Sequence, residues 1–443
     1  MELKSYKKFM LYLVRGLPLF VRMNFGNYNR IANRRLRYLV KYAYENVPLY
    51  RRKYDAAGVK PEDIHGMEDL GKLPLITKQD LVSGYPDDII ARGLKPQDYY
   101  LMGTSGSTGA PLRIFKSRDL LSFLVFSTFF MGKLVGYFIK KHLKDNVMFI
   151  FVDVPDSLEG VTMNEIRSMS AYFSRRNPHL DATSTPQQHI AGLNYYQPEI
   201  VFTYPSVLRN IACYVEQYHI LLHQPKLLVV SGELMDQNTR KVITRVFSGE
   251  LLNFYMATEC GLMATECEHH KGLHLRGNSV ILEILKNGKP VPEGTTGEVV
   301  VTDLWNQATP IIRYTGLGDS AAFSLESCHC RQKSRLLKMV AGRQTDSIIL
   351  RDGSLLHPFS LTLALEHIAG IARFQIIQED YERVKVLLVG ADGDLPHLAQ
   401  QVKDSLDAVF MGGADVSVEF VDEIPGSGNG NRVVVSRVAR AAV

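Results

Sequence analysis

Apolar residues recur along this chain in two rhythms. Residues 147–152 (Val-Met-Phe-Ile-Phe-Val), 200–203 and 227–231 are nearly unbroken apolar runs of strand length. Such runs predict strands buried on both faces, and their alternation with helical stretches predicts a parallel α/β sheet. Residues 31–57 follow a helical pattern that breaks at Val47-Pro48, because proline disfavours helix at the residue before it. A short strand containing Ile114 leads into a second helical stretch over 117–141, with Ser117 as its N-cap. Within it, residues 120–131 are the longest apolar run, ended by Lys133. That is short of the roughly 20 residues needed to span a bilayer, so a buried helix is expected and no transmembrane segment.

From Gly277 the texture changes. Short apolar runs at 280–285, 297–302 and 310–314 are separated by turn pairs such as Asn287-Gly288 and Glu293-Gly294. They predict a smaller antiparallel β region over about 277–340. The last 100 or so residues repeat a shorter alternation. A helix is expected at 359–368, strands at 373–378 and 384–389, a helix at 395–409 and a strand at 416–421. The expected fold class is therefore α/β. A large domain spans residues 1–342, and a small, mobile α+β lid spans 343–443.

Composition narrows the class. With 443 residues, 46% hydrophobic and 22% charged, the chain is an ordinary globular protein of several hundred residues, not a disordered or fibrous one. The net charge of +5 is slight for this length. Basic clusters at Arg34, Arg35 and Arg37 and at Arg51, Arg52 and Lys53 read as solvated helix faces, and no nucleic-acid partner is expected. Five cysteines, an odd and sparse set, point to a reducing, cytoplasmic setting. At the N-terminus Lys4, Lys7 and Lys8 precede a six-residue apolar stretch that Arg15 interrupts, with no small-residue cleavage site after it. An amphipathic helix is expected there, with contact at a membrane interface as the second reading.

The strongest local signal is Gly103-Thr104-Ser105-Gly106-Ser107-Thr108-Gly109-Ala110-Pro111. Glycines let the backbone approach a ligand, successive N–H groups form an anion-binding concavity, and hydroxyls add donors. No Gly-Lys-Ser/Thr closes it, so it is not a Walker A loop. A second constellation is Cys267, His274, Cys328 and Cys330. Two pairs of Cys/His ligands match a structural zinc site, with His329 as a competing ligand. Cys260, beside Glu259, reads as a packing residue.

The segment 103–111 resembles the phosphate loop of the adenylate-forming enzymes, which include acyl- and aryl-CoA synthetases. Other elements of that superfamily follow in order. Tyr255-Met256-Ala257-Thr258-Glu259 is similar to its aromatic–Gly–x–Thr–Glu element. Arg313-Tyr314-Thr315-Gly316 followed by Asp319 resembles its Arg-Tyr-x-Thr-Gly-Asp element, one residue longer. Gly342-Arg343-Gln344-Thr345-Asp346 is similar to its hinge. Within the superfamily, 44–50 (Tyr-Glu-Asn-Val-Pro-Leu-Tyr), Gly58-Val59, Leu73-Pro74, Glu266-Cys267 and Gly272-Leu273-His274 resemble the phenylacetate–CoA ligase family.

The resemblance implies activation of a carboxylic acid with ATP as acyl-AMP, followed by transfer to a thiol of CoA or of a carrier protein's phosphopantetheine. It implies that Thr104, Ser105, Gly106, Ser107, Thr108 and Gly109 hold phosphates. Thr258 and Glu259 act at the reaction centre, with Glu259 on Mg²⁺. Asp319 receives the ribose hydroxyls, Arg343 lies near ribose or phosphate, and Tyr255 stacks beside adenine. The acid, aromatic or otherwise hydrophobic by family default, would meet Tyr204, Ser231, Gly232 and Glu233.

Three positions depart from the family. Met256 replaces a glycine, Leu112 follows the phosphate loop, and Asn429 stands where the family has its C-terminal lysine. The last lysine in the chain is Lys403. Loss of a preorganised cation typically costs on the order of 10²–10³ in rate. A slowed ligase is the first expectation, with Arg432 as a candidate substitute cation. An acyl transferase working on preformed acyl-AMP or acyl-CoA is the alternative, and a non-catalytic nucleotide-binding homologue is a third.

Overall fold

A computed structural model gives the structure of the protein. It describes every residue except 1–2, 25–26, 104–111, 130–145, 152–159, 163, 166–177, 331, 333, 342–347, 353–354, 357–360, 362–363, 366–367, 391–394, 423, 425–433 and 439–443. Three helices open the chain, α1 (Leu3–Asn24), α2 (Tyr28–Asn46) and α3 (Pro48–Ala57), and α4 (Lys78–Gly84) follows. The break between α2 and α3 falls where proline predicts it. Val47 is extended at φ −117° and ψ 114°, and Pro48 opens α3. Asn27 caps α2 by accepting the Arg30 N–H.

Strands β1 (Tyr99–Gly103) and β2 (Arg113–Ser117) form an antiparallel hairpin whose last pair is Gly103 opposite Arg113. The expected phosphate loop is therefore the hairpin connection. Its residues 104–111 lie outside the described set. Helix α5 (Arg118–Phe129) follows, and the Leu120 N–H reaches Ser117 Oγ at 3.4 Å, as an N-cap requires. The expected continuation of α5 over 130–141 falls outside the described residues.

The apolar runs are β3 (Val147–Phe151), β5 (Ile200–Thr203) and β6 (Leu227–Val230), each buried along its whole length. With β4 (His179–Asp181) and β7 (Glu250–Ala257) they pair in parallel, in the order β4-β3-β5-β6-β7. Helices α6 (Pro186–Tyr196), α7 (Pro205–Tyr218) and α8 (Gln237–Val246) lie between these strands in the chain. At β7 the sheet changes character. β8 (Gly261–Glu266) returns antiparallel and is followed by β9 (Leu273–Leu275), β10 (Val280–Lys286), β11 (Lys289–Pro290), β12 (Gly297–Asp303), β13 (Ser320–Phe323) and β14 (Leu336–Ala341). All belong to one 12-stranded sheet. The β-rich region seen in the sequence is thus an extension of the parallel sheet.

One expected strand is absent. Residues 310–314 make only isolated bridges, Tyr314 to Ile76 and to Val301. The cause is Arg313, whose backbone is left-handed at φ +50°, a conformation no strand can hold. Its side chain explains why the strain is borne. The guanidinium meets Glu283 through Nε and an Nη, both at 3.0 Å, and donates to the Leu73 carbonyl. The Ile76 N–H in turn donates to the Arg313 carbonyl at 3.0 Å. Tyr50 adds a second fastening, since its hydroxyl donates to the Pro310 carbonyl and accepts the Ile312 N–H. The N-terminal helices are tied by these bonds to the sheet.

The remaining chain forms β15 (Ile348–Ile349), β16 (Leu355–Leu356), β17 (Ile371–Gln378), β18 (Arg383–Gly390), α9 (Leu395–Phe410), β19 (Asp415–Phe420) and β20 (Val434–Ser436). Four of the strands make a sheet ordered β19-β18-β17-β20. It has its own core, with Val386, Leu388, Val402 and Leu406 among its fully buried members. The helix expected at 359–368 falls largely outside the described residues. Strand β20 and the β15–β16 pair carry too few residues for periodicity to reveal.

The Arg313–Glu283 pair is almost fully buried, with side chains 5% and 14% exposed. Removing one member of such a pair leaves a charge unpaired and typically costs about 3–5 kcal/mol. Glu283→Ala should therefore lower the urea midpoint sharply. Arg313→Lys should also destabilise, because an ammonium cannot reproduce the two-pronged contact. Unchanged midpoints in both variants would remove the clamp from the account.

Candidate active site at the strand ends

In a parallel α/β sheet, ligands collect beyond the carboxyl ends of the strands. Three adjacent strand ends carry the residues in question. Tyr204 follows β5, Ser231 to Glu233 follow β6, and Thr258 and Glu259 follow β7. The hydrophobic runs end at Thr203, Val230 and Ala257, so the polar residues begin where the buried sheet stops.

Tyr204 opens helix α7 and is itself buried. Its ring stands edge-on to Phe151 at 5.0 Å and lies against Gly232. Ser231 is buried and donates its N–H to the Thr203 carbonyl. The Glu233 carboxylate accepts from Ser206 N–H at 2.9 Å and from Ser206 Oγ at 2.8 Å. Glu233 therefore closes the first turn of α7, where a carboxylate also complements the helix dipole. The four expected pocket residues thus lie close together, with Tyr204 against Gly232 and Glu233 joined to Ser206 in α7.

Thr258, Glu259 and Cys260 make the turn from β7 to β8. Glu259 is buried, and Tyr314 Oη lies 3.5 Å from its Oε1. Gly316 is required beneath this contact, because a Cβ there would sit 2.1 Å from the Tyr314 hydroxyl. On the other side, Lys116 Nζ donates to the Glu259 backbone carbonyl and approaches Asp303 Oδ2 at 3.5 Å. Lys116 is 1% exposed. Sequence reasoning missed Lys116 and Asp303, and it gave Tyr314 no role beyond its place in the Arg313-Tyr314-Thr315-Gly316 element. The sequence carries little signal for the lysine, since Lys116 directly follows Ile114-Phe115 in a short strand and nothing local shows that it is buried.

Lys116 lies in β2, so its contact places the hairpin carrying residues 104–111 directly against the Glu259 turn. Tyr255 and Asp319, expected to flank a nucleotide, also meet. The Tyr255 hydroxyl donates to Asp319 Oδ2 at 2.7 Å. Burial, then the Asp319 carboxylate, pushes the Tyr255 phenol well above its ordinary range, so it stays a donor. Burial likewise pushes up the Cys260 thiol, which contacts Met263 and behaves as a packing group. Arg343 and Asn429 lie outside the described residues.

Cys267, His274, Cys328 and Cys330 come together, with ligand atoms all within 4.8 Å of one another. Cys267 Sγ is 3.6 Å from Cys328 Sγ, and Cys330 Sγ is 3.2 Å from His274 Nε2. His274 turns its other nitrogen to Ser334 Oγ at 3.4 Å, which orients Nε2 toward the sulfurs. Burial holds the imidazole below its usual range and therefore neutral. Three thiols and one imidazole converging in this way are the donor set of a closed tetrahedral metal site. His329 takes no part in the cluster. Strand β9 supplies His274 and the end of β8 leads to Cys267, while the other two come from the loop before β14.

The chain resembles proteins of known activity. It is 26% identical to the phenylacetate-coenzyme A ligase of Escherichia coli K12 over 435 residues, covering 90% of this chain and 92% of that one. The phenylacetate-coenzyme A ligase of Thermus thermophilus is 26% identical over 78% of this chain and 77% of its own length. Protein CapK of Staphylococcus aureus is 24% identical over 91% and 87%. A family profile, the CapK C-terminal domain, matches residues 348–437. Among solved structures, 2-hydroxyisobutyryl-CoA ligase in complex with 2-HIB-AMP and CoA superposes with a TM-score of 0.65 at 18% identity, over 92% of this chain and 90% of that one. The fold is therefore the one that 2-hydroxyisobutyryl-CoA ligase adopts, and over most of its length the chain is similar in sequence to the phenylacetate-coenzyme A ligases.

Proposed function

We propose that the protein activates a hydrophobic or aromatic carboxylic acid with ATP as acyl-AMP and passes the acyl group to a thiol such as CoA. The observation that carries this reading is the buried Lys116 contact. It holds strand β2, which follows the Gly/Ser/Thr loop in the chain, against the Glu259 turn, and this supports a reading in which the loop's phosphate donors and the Glu259 carboxylate serve one site. The relatives named phenylacetate-coenzyme A ligase support the ligase reading over thioester transfer or binding alone. Five cysteines without a disulfide fit a cytoplasmic setting.

In the first step a carboxylate oxygen attacks the α-phosphorus of ATP and the bond to pyrophosphate breaks. In the second, a thiolate of CoA or phosphopantetheine attacks the acyl carbonyl and AMP leaves. Residues 104–109 offer N–H and hydroxyl donors to the β- and γ-phosphates. Glu259 would hold Mg²⁺, which neutralises phosphate charge; an oxygen donor at a polar strand end fits that hard ion. Asp319 accepts from the ribose hydroxyls, its second oxygen fixed by Tyr255. Tyr255 flanks adenine, and Arg343 lies toward ribose or phosphate. Tyr204, Ser231 and Gly232 line the acid, with Glu233 bracing them. The domain 343–443 acts as the lid, and the Cys267, His274, Cys328 and Cys330 cluster holds a structural zinc.

Asp319→Ala should weaken AMP binding by about 1.5–3 kcal/mol, the worth of a charged acceptor. Glu259→Gln should instead depress ATP–pyrophosphate exchange while leaving AMP binding nearly intact. Calorimetry and exchange assays with a panel of acids separate the two, and no exchange with any acid would refute the ligase reading.

Purified protein should carry about one zinc per chain, by the four-ligand logic of structural sites. Cys328→Ser should lower both the zinc content and the melting temperature. Metal-free protein, prepared without chelator and as stable as the zinc-loaded form, would rule the ion out.

At the lid, Asn429→Lys should raise pyrophosphate exchange by restoring a mobile cation near the developing charge. The gain falls short of the full 10²–10³ or so if the loop sets the ammonium about 1 Å off. Fast exchange by the wild type, abolished by Arg432→Ala, would identify Arg432 as the working cation.

A further inference from the structure

We infer that helix α1 docks the protein onto an anionic membrane surface. The inference stands apart from the ligase reading. Among the described residues no helix is long and apolar enough to cross a membrane, so the contact would be interfacial. α1 has 22 residues, about 33 Å at 1.5 Å per residue.

One side of α1 is committed to the protein. Tyr12 is buried and its hydroxyl donates to Glu165 at 2.7 Å. Gly16 lies against α5 so closely that a Cβ would meet the Ser122 carbonyl oxygen at 2.6 Å. The Phe20 ring packs edge-on to Phe126 at 5.1 Å. The opposite side is also apolar, yet it faces solvent. Met10, Val14, Leu17 and Val21, spaced i, i+4, i+7 and i+11, are 38%, 67%, 48% and 46% exposed, and Leu11 beside them is 45% exposed. Large apolar residues scattered singly need no explanation, but a row of four along one helix face is a contiguous patch.

Charge selects the occupant. Between Leu3 and Asn24 the sequence has Lys4, Lys7, Lys8, Arg15 and Arg22 and no acidic residue. Arg15 and Arg22 are exposed and, at seven residues apart, share one flank of the apolar row; positions 4 and 8 fall in the same helical row. An apolar stripe bordered by basic residues is the pattern of a helix lying in a lipid interface. A second copy docked through the same face would bring two cationic helices together with no carboxylate on either to offset them.

The test is cosedimentation of the full-length protein with sucrose-loaded vesicles. Wild type should pellet with vesicles rich in phosphatidylglycerol and at least about tenfold less with phosphatidylcholine alone, and salt at roughly 0.5 M should weaken the binding. The double variant Val14→Glu/Leu17→Glu should lose at least about tenfold in partitioning, and Arg15→Glu/Arg22→Glu should do the same. These side chains are exposed, and an unchanged melting temperature checks that each variant folds. The proposal is overturned by wild type that ignores anionic vesicles, or by binding that survives both double variants. It is equally overturned if light scattering finds a dimer that Val14→Glu/Leu17→Glu converts to monomer while vesicles capture neither form, which would assign the face to a second copy.

Discussion

A lysine ammonium sealed from solvent must be met by oxygen, because a lone buried charge costs far more than any packing returns. Lys116 meets that demand with the Glu259 carbonyl and the Asp303 carboxylate. Each partner belongs to a different part of the chain. Lys116 comes from the hairpin that carries the Gly/Ser/Thr loop, Glu259 from the turn after the last parallel strand, and Asp303 from the end of β12. Asp303 is held in turn, since its other oxygen accepts the Trp305 N–H at 2.9 Å. One cation thus ties the β1–β2 hairpin, the parallel half of the sheet and its antiparallel extension to a common point.

The sheet's change of direction at β7 makes this convergence possible. Parallel strands deliver their carboxyl ends to one edge, which accounts for Tyr204, Ser231 and Thr258 lying side by side. Antiparallel strands do not, so Asp319 and Tyr314 reach the same edge by another route. Both sit between β12 and β13, in a segment that the left-handed Arg313 keeps out of the sheet. A regular strand there would pair along its length and alternate its side chains between the two faces. The strained arginine frees the segment to turn Tyr314 toward Glu259, while the Glu283 contact secures it.

Much of this was legible in the sequence, for identifiable reasons. The parallel strands announced themselves because burial on both faces leaves no polar position to break the run. The helix break at Val47 followed from proline sterics alone. The convergence of Cys267, His274, Cys328 and Cys330 was legible because cysteine is otherwise scarce in the chain. What escaped were pairings across long distances in the chain. The burial of Lys116 depends on a carbonyl 143 positions away. The fate of 310–314 depends on a glutamate that periodicity cannot connect to Arg313. The contact of Glu233 with Ser206 was not legible either, because it requires knowing that β5 and β6 are neighbours.

Glu233 also shows how one strand end is fastened to the helix that follows its neighbour. Its carboxylate accepts from the Ser206 N–H and Oγ, and beside it the Tyr204 ring lies against Gly232. Tyr204 is braced edge-on by Phe151, and Phe151 packs edge-on to Phe202 at 5.1 Å. Edge-to-face aromatic packing of this kind fixes ring orientation as well as burying area. The Tyr204 ring is therefore held rigidly against β3 and β5. A change at Tyr204 would alter this packing directly, whereas a change at Glu233 would act through the start of α7. The first removes a buried ring packed on Phe151, and the second loosens the helix whose first turn follows Tyr204.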